Sequence, residues 1–352
     1  MYNLGINVKE VYNLYIKIIG AVGNLKVEEE SINEYLDYDL GFGPRLSQGI
    51  EILKKEFSQK DFIESIGMME ANYITGLPYV YQVQNISELP TPEKFYDLSL
   101  NIALEQTWGP LHAYLLALWL VKDNSINIKK LYGYLNGPNK SAINEITPPS
   151  SFSNSEGEYK TISFKFEELQ KALEWLKVIV NYLIITDPKA QDIMKQRLIK
   201  KGGIGDNTDF LYANNNRFSR ALRFIQVART EQFLPVKIAS YIGALESIFD
   251  VDFELAHQVS ERAAKLVGGD IDTRVENYDL VKDAYNLRSK YVHGSELGKK
   301  YNSNDKMKTI SKKLDNLLRT LMQNLLLEHP DLATMKQKDL TDWFKKLILQ
   351  GE

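Results

Sequence analysis

From about residue 214 onward, apolar residues recur at spacings of three and four, the period that gathers them on one face of an α-helix. One stripe runs Phe218, Leu222, Ile225, Ala228. The next starts at Pro235, a favourable first-turn residue, and continues through Ile238, Tyr241, Leu245 and Ile248. A shorter amphipathic segment, FELAHQVSERAAKLV, stops at Gly268–Gly269, as helices often do at glycine. A fourth stripe carries Leu280, Ala284, Leu287 and Tyr291; the last and longest places Met307, Ile310, Leu314, Leu317, Leu321 and Leu325 on one side. Amphipathic helices joined by short connections predict a helical bundle.

The first 135 or so residues are mixed. ESINEYLDYDLGFGPRLSQGIEILKKEF predicts a polar segment, a Gly/Pro turn and an amphipathic helix. LPYVYQVQNI (77–86) alternates like a strand, and TPEKFYDLSLNIALEQTW has a Thr cap, a first-turn Pro and helical spacing. Residues 137–157, rich in Gly, Pro, Ser and Asn, predict a loop or linker. Beyond them YKTISFKF is strand-like, and EELQKALEWLKVIVNYLII (167–185) predicts a long buried helix. The expected fold is mainly α: a C-terminal helical bundle (158–352) preceded by a mixed, mostly helical N-terminal region with a few strands (1–157) that ends in the linker.

Composition narrows the chemistry. Length, 352 residues, suits two ordinary domains, and 44% hydrophobic with 25% charged residues is the mix of a folded soluble protein. The absence of cysteine removes disulfides, thiolate zinc sites and cysteine nucleophiles, and fits a cytoplasmic location. No secretory signal is legible, and the longest apolar run, LHAYLLALWLV (111–121), is about half a membrane span, so no membrane association is expected. Charge is uneven: residues 1–100 hold 8 Lys/Arg against 15 Asp/Glu, and residues 282–320 hold 10 against 4. The basic stretch is either a solvated helix face or a footprint for a polyanion.

Within that basic stretch lies YNLRSKYVHGSEL (285–297). Arg288 and His293 are five positions apart, about 140° around an ideal helix, and converge only if the helix stops. Gly294 supplies the stop, leaving His293 at the helix C-terminus, where the macrodipole favours its protonated form. Arg288 adjoins the apolar stripe, in the line Val281, Tyr285, Arg288, Val292. RNA is cut without a metal when its own 2′-hydroxyl attacks the neighbouring phosphate, which calls for a proton acceptor, a proton donor and a cation on the phosphate. Histidine suits either proton role, and arginine's planar fork matches phosphate oxygens. One His293 does not readily serve as acid and base in the same step, so two copies, a dimer, would complete the site.

Residues 214–297 resemble the HEPN superfamily, in its Apea-like branch, through RFSRALRFIQVARTE, IASYIGALESIFDV, ELAHQVSERAAKLVGG and YNLRSKYVHGSEL, in that order; the last long helix extends the resemblance to about residue 328. The resemblance implies a HEPN-type bundle and a homodimeric, metal-independent endoribonuclease with Arg288 and His293 as catalytic pair. Its products would be a 2′,3′-cyclic phosphate and a 5′-hydroxyl, and its setting bacterial phage defence or a toxin acting on tRNA or mRNA. A non-catalytic dimerisation or RNA-binding scaffold in a larger defence complex is the alternative. Many HEPN nucleases carry Asn, Asp or His directly after the arginine, where this chain has Ser289. The acidic N-terminal region would be a sensor, regulator or docking module for a defence partner.

Other residues invite a role. Glu246 and Arg262 either form an ion pair locking two helices or position Arg288 or substrate. Lys290, Lys299 and Lys300 either track an RNA backbone or are solvated. Tyr291 could stack on a base, but its place on the stripe predicts core packing. KKGGIGDN (200–207) lacks the preceding strand and following Lys-Ser/Thr of a phosphate loop and is expected to be a flexible loop. His112, His257 and His329 have no histidine neighbour at ligand spacing, so no metal or cofactor is expected. Asp250 and Asp252 are expected to cap helices.

Overall fold

A computed structural model describes residues 14–28, 37–57, 60–86, 93–137, 140–148, 151–183, 215–251, 254–298, 301 and 303–349. Asp252, Lys299, Lys300 and the segment 200–207 lie outside the described residues. The chain is mainly α with a smaller share of strand, the class expected from its pattern. It divides into two compact units, one drawn mainly from residues 1–112 and 128–149, the other from 113–127, 150–195 and 206–352. No helix among the described residues is long and apolar enough to cross a membrane.

The first unit is built on an antiparallel sheet. Strands β1 (Tyr15–Gly23), β2 (Asp37–Asp39), β3 (Arg45–Ser47), β4 (Tyr79–Asn85), β5 (Leu131–Asn136) and β6 (Ser141–Ile146) are ordered β2-β3-β4-β1-β5-β6. Register places Ile19 beside Tyr81 and Tyr132, and Ile18 beside Gln82 and Gly133, so neighbouring residues of β1 face opposite sides. On the Ile19 side, Phe57, Phe62 and Ile74 of helices α1 (Glu51–Phe57), α2 (Lys60–Ile66) and α3 (Met68–Thr75) pack on Tyr81, Tyr132 and Tyr134. On the Ile18 side runs α4 (Tyr96–Val121). A Cβ on Gly133 would lie 2.7 Å from Leu100 Cδ1, so glycine allows the helix its close approach.

The expected linker is not one. Residues 141–146 form β6, paired with β5 from Leu131↔Ile146 to Asn136↔Ser141, and residues 152–155 are buried in the second unit. Their polar composition reflects hydrogen bonding: Ser153 N donates to Arg229 O (2.6 Å), Ser155 Oγ to Asp123 Oδ2 (2.6 Å), and Asn127 Nδ2 to Phe152 O (2.8 Å). Residues 113–127 and 150–157, expected with the N-terminal region, therefore belong to the helical unit.

That unit contains α5 (Phe166–Leu183), α6 (Arg217–Thr230), α7 (Leu234–Phe249), α8 (Leu255–Val267), α9 (Ile271–Val292), α10 (Asn304–Glu328) and α11 (Gln337–Leu349), with the end of α4 and a short strand at Ile162–Phe164. The apolar stripes of α6 and α7 are buried as expected, as are Leu314, Leu317, Leu321 and Leu325 of α10; Leu280, Met307 and Ile310 are half-buried. Asp250 takes the left-handed conformation that ends α7, and Arg217 Nη2 donates to it at 3.4 Å.

Charges lie inside this core. The buried Asp315 of α10 accepts from Trp119 Nε1 (2.8 Å), Tyr241 Oη (2.8 Å) and Arg319. Arg229 is fully buried and donates to Leu115 O, to Asn124 O and to Asn124 Oδ1, at 3.0 to 3.2 Å. The buried Lys237 donates to Ala228 O at 2.6 Å. Burial holds its ammonium pKa down at about 8, against 10.5 ordinarily.

Lys237 thus carries a burial penalty, about 3 kcal/mol at most, that is complete below pH about 8 and fades as pH rises toward 10.5, where only the unfolded chain still binds the proton. Lys237→Met is expected to raise the melting temperature at neutral pH and to gain less near pH 10. Thermal unfolding at the two pH values checks this; an equal gain at both would remove the charge as the cause.

Candidate active site

The basic motif occupies the last turns of α9. Val281, Ala284 and Leu287 are buried, and burial ends there. Gly294 has φ +67° with nothing within 4 Å of where a Cβ would sit, so the demand for glycine is conformational, not steric. Around it Gly294 N donates to Tyr291 O (3.1 Å) and Ser295 N to Lys290 O (2.8 Å), closing the helix end. His293 is the terminal cap residue, its N–H on Ser289 O at 3.1 Å, and is exposed to solvent. The expected helix stop is therefore present.

Arg288 stands half-buried one turn back. Its Nη2 donates to Glu246 Oε2 of α7 at 3.2 Å, and its guanidinium lies over the Tyr285 ring, 5.5 Å from the centroid. Burial raises the Tyr285 hydroxyl pKa, and the charge and hydrogen bond of Glu246 raise it further. Glu246 therefore accepts from Arg288 and faces the Tyr285 hydroxyl. Among the described residues it is the sole hydrogen-bond partner of the Arg288 side chain, leaving most of the donor fork for a ligand. No hydrogen bond joins Arg288 to His293 among the described residues.

Two expectations are resolved here. Glu246 and Arg262 do not pair: Arg262 donates to Phe249 O (2.9 Å) and Gln258 Oε1 (2.8 Å) and lies over the Phe344 ring, tying the end of α7 to α8 and α11. Glu246 instead accepts from Arg288 Nη2. Tyr291 is not core; it is 37% exposed, because α9 runs beyond its packing neighbours, and it meets Phe233 edge-on at 6.0 Å. Ser289 is half-buried. Lys290 folds back over Tyr301 and reaches Leu297 O at 3.5 Å, while Lys299 and Lys300 lie outside the described residues.

Sequence reasoning missed Tyr285 as a support for Arg288, and an aromatic surface beside the motif. Phe233 (59% exposed) and Val292 (57%) adjoin Tyr291 in space and in sequence respectively, and Phe224 of α6 lies over Gly243, one turn before Glu246 on α7. An aromatic at the cap of α7, outside any helical stripe, was the available signal. His257 Nδ1 is 2.9 Å from Tyr278 Oη, His112 lies tilted against Trp108, and His329 meets Trp343 edge-on. No group of three His, Cys, Asp or Glu residues is placed to hold a metal among the described residues.

In comparison with known proteins, no family model, no curated protein and no solved structure matches the chain. The helix end itself is open to test. Gly294→Ala is expected to cost about 1–2 kcal/mol, the price of a side chain in the left-handed region, and Gly294→Asn less. Urea unfolding of the three proteins checks the order Gly, Asn, Ala.

Proposed function

We propose that the chain is a HEPN-type, metal-independent endoribonuclease. The observation that carries the proposal is the end of α9: an exposed His293 at a glycine-closed helix terminus, five residues from an arginine that pairs with Glu246 and lies over Tyr285. In this proposal Arg288 grips the non-bridging oxygens of the scissile phosphate as negative charge grows on them. A base takes the proton of the 2′-hydroxyl, whose oxygen bonds to phosphorus as the bond to the 5′-oxygen breaks; an acid protonates that leaving oxygen. His293 supplies one of these roles and His293 of a second copy the other. The products are a 2′,3′-cyclic phosphate and a 5′-hydroxyl.

Pairing of two copies is supported by the exposed Phe233, Tyr291 and Val292, since apolar clusters on a surface commonly mark interfaces. The proposed setting is a cytoplasmic effector in phage defence or a toxin, with tRNA or mRNA as substrate and a partner protein docking on the N-terminal region. A second proposal, a non-catalytic dimerisation or RNA-binding scaffold, is favoured by the Glu246–Arg288 pair, which neutralises the arginine's charge without any ligand while leaving most of its donors open.

Incubating RNA with the purified protein in EDTA separates the two. Cyclic-phosphate ends are expected from the wild type and not from His293→Ala or Arg288→Ala. Arg288→Lys is expected to lose most of the activity, since an ammonium has no planar fork. Glu246→Gln is expected to lower kcat about tenfold or more through a loosened Arg288, with folding retained. Absence of cleavage by a folded dimer, alone and with candidate activators, would favour the scaffold. Phe233→Ser with Val292→Ser is expected to shift the dimer toward monomer in sedimentation and to abolish cleavage with it.

A further inference from the structure

The first unit holds a cavity that none of this chemistry uses. It opens among α1, α2 and α3, reaches Ile19 of β1 at its floor, and encloses about 250 Å³. Its walls are apolar, with Phe57, Phe62 and Ile74, themselves buried, forming the inner part. Folded interiors are close-packed, and an apolar void of this size forgoes contacts that a neighbouring side chain would otherwise make. Ligand sites, by contrast, are concave and mostly apolar with a few placed polar groups.

The mouth has that second property. Ile50 and Met68 are 47% and 66% exposed, so the cavity opens to solvent across an apolar lip. Beside it lies a shallower basin of about 400 Å³ that shares Ile50 and Thr75 with the cavity and includes Gln48, Gly49, Gly76 and the carboxylate Glu51. Among the described residues that line the cavity, Lys54 is the only ionisable one. Its tie to Glu51 is weak, 3.9 Å between two largely exposed side chains, so an incoming anion can displace it.

We propose that this cavity is a binding site for a small anionic amphiphile, a medium-chain carboxylate: its apolar chain lies against Phe57, Phe62 and Ile74, and its carboxylate meets Lys54 at the mouth. Charge selects the head group, because among the described residues the lining offers one cation and no anion. Size selects a short chain, since the cavity sits at or below the lower end of the usual range for ligand pockets, about 300–1,000 Å³.

The experiment is calorimetric titration of the full chain with octanoate and, separately, with octanol. Saturable binding of octanoate is expected, with octanol weaker. Lys54→Gln is expected to weaken octanoate about tenfold and leave octanol unchanged. Ala71→Phe, which fills the cavity from α3, is expected to abolish binding of both; Ile50→Trp, which narrows the mouth without touching the interior, guards against a folding defect in that variant. No saturable binding, equal affinity for octanoate and octanol, or binding indifferent to both cavity variants would overturn the proposal. RNA cleavage is not the readout, so loss of the nuclease proposal would leave this one standing.

Discussion

The helical unit depends on a single buried carboxylate. Asp315 gathers Trp119 from the end of α4, Tyr241 from α7 and Arg319 from its own helix. An ionised group in a core is costly unless its lone pairs are filled, and here the three donors fill them while fixing which residues of three helices meet. Apolar stripes alone would let these helices slide by a turn. Tyr241 could not then reach Asp315, which would keep only the donor on its own helix, Arg319.

That alignment bears on the catalytic candidate, because Glu246 lies on α7 five residues beyond Tyr241. Holding α7 in register holds Glu246 in place, and Glu246 holds Arg288. The geometry of the motif therefore rests on a core residue with no part in the proposed chemistry. His293 needs a different constraint, the closed helix end, which is local to residues 289–295.

Local features were legible in the sequence and non-local ones were not. The stripes of α6, α7 and α10 and the stop at Gly294 follow from spacing and one special residue. The central strand β1 was missed because both its faces are covered, so IIGAV shows no alternation. Residues 152–155 read as linker because their polar groups have partners far away in sequence, at Asp123, Asn127 and Arg229. Tyr291 continues a period that outlasts the bundle, and periodicity does not reveal where neighbours end. The Glu246–Arg288 pair spans 42 residues, and no pattern in either segment announces it; Glu246 could only be nominated, with Arg262 as its rival partner.

Membership of residues 113–127 in the helical unit carries a consequence for how the chain folds. Trp119 and Asp315 are separated by 196 residues, and Leu120 and Gln323 by 203. A ribosome must therefore pass residue 323 before these contacts of the core can close, whereas the hairpin of β5 and β6 can pair once residue 146 has emerged. Trp119 and Leu120, both fully buried in the folded unit, gain those partners only then. The long-range closure of this core, unlike the local pairing of the hairpin, makes its assembly a late event in folding.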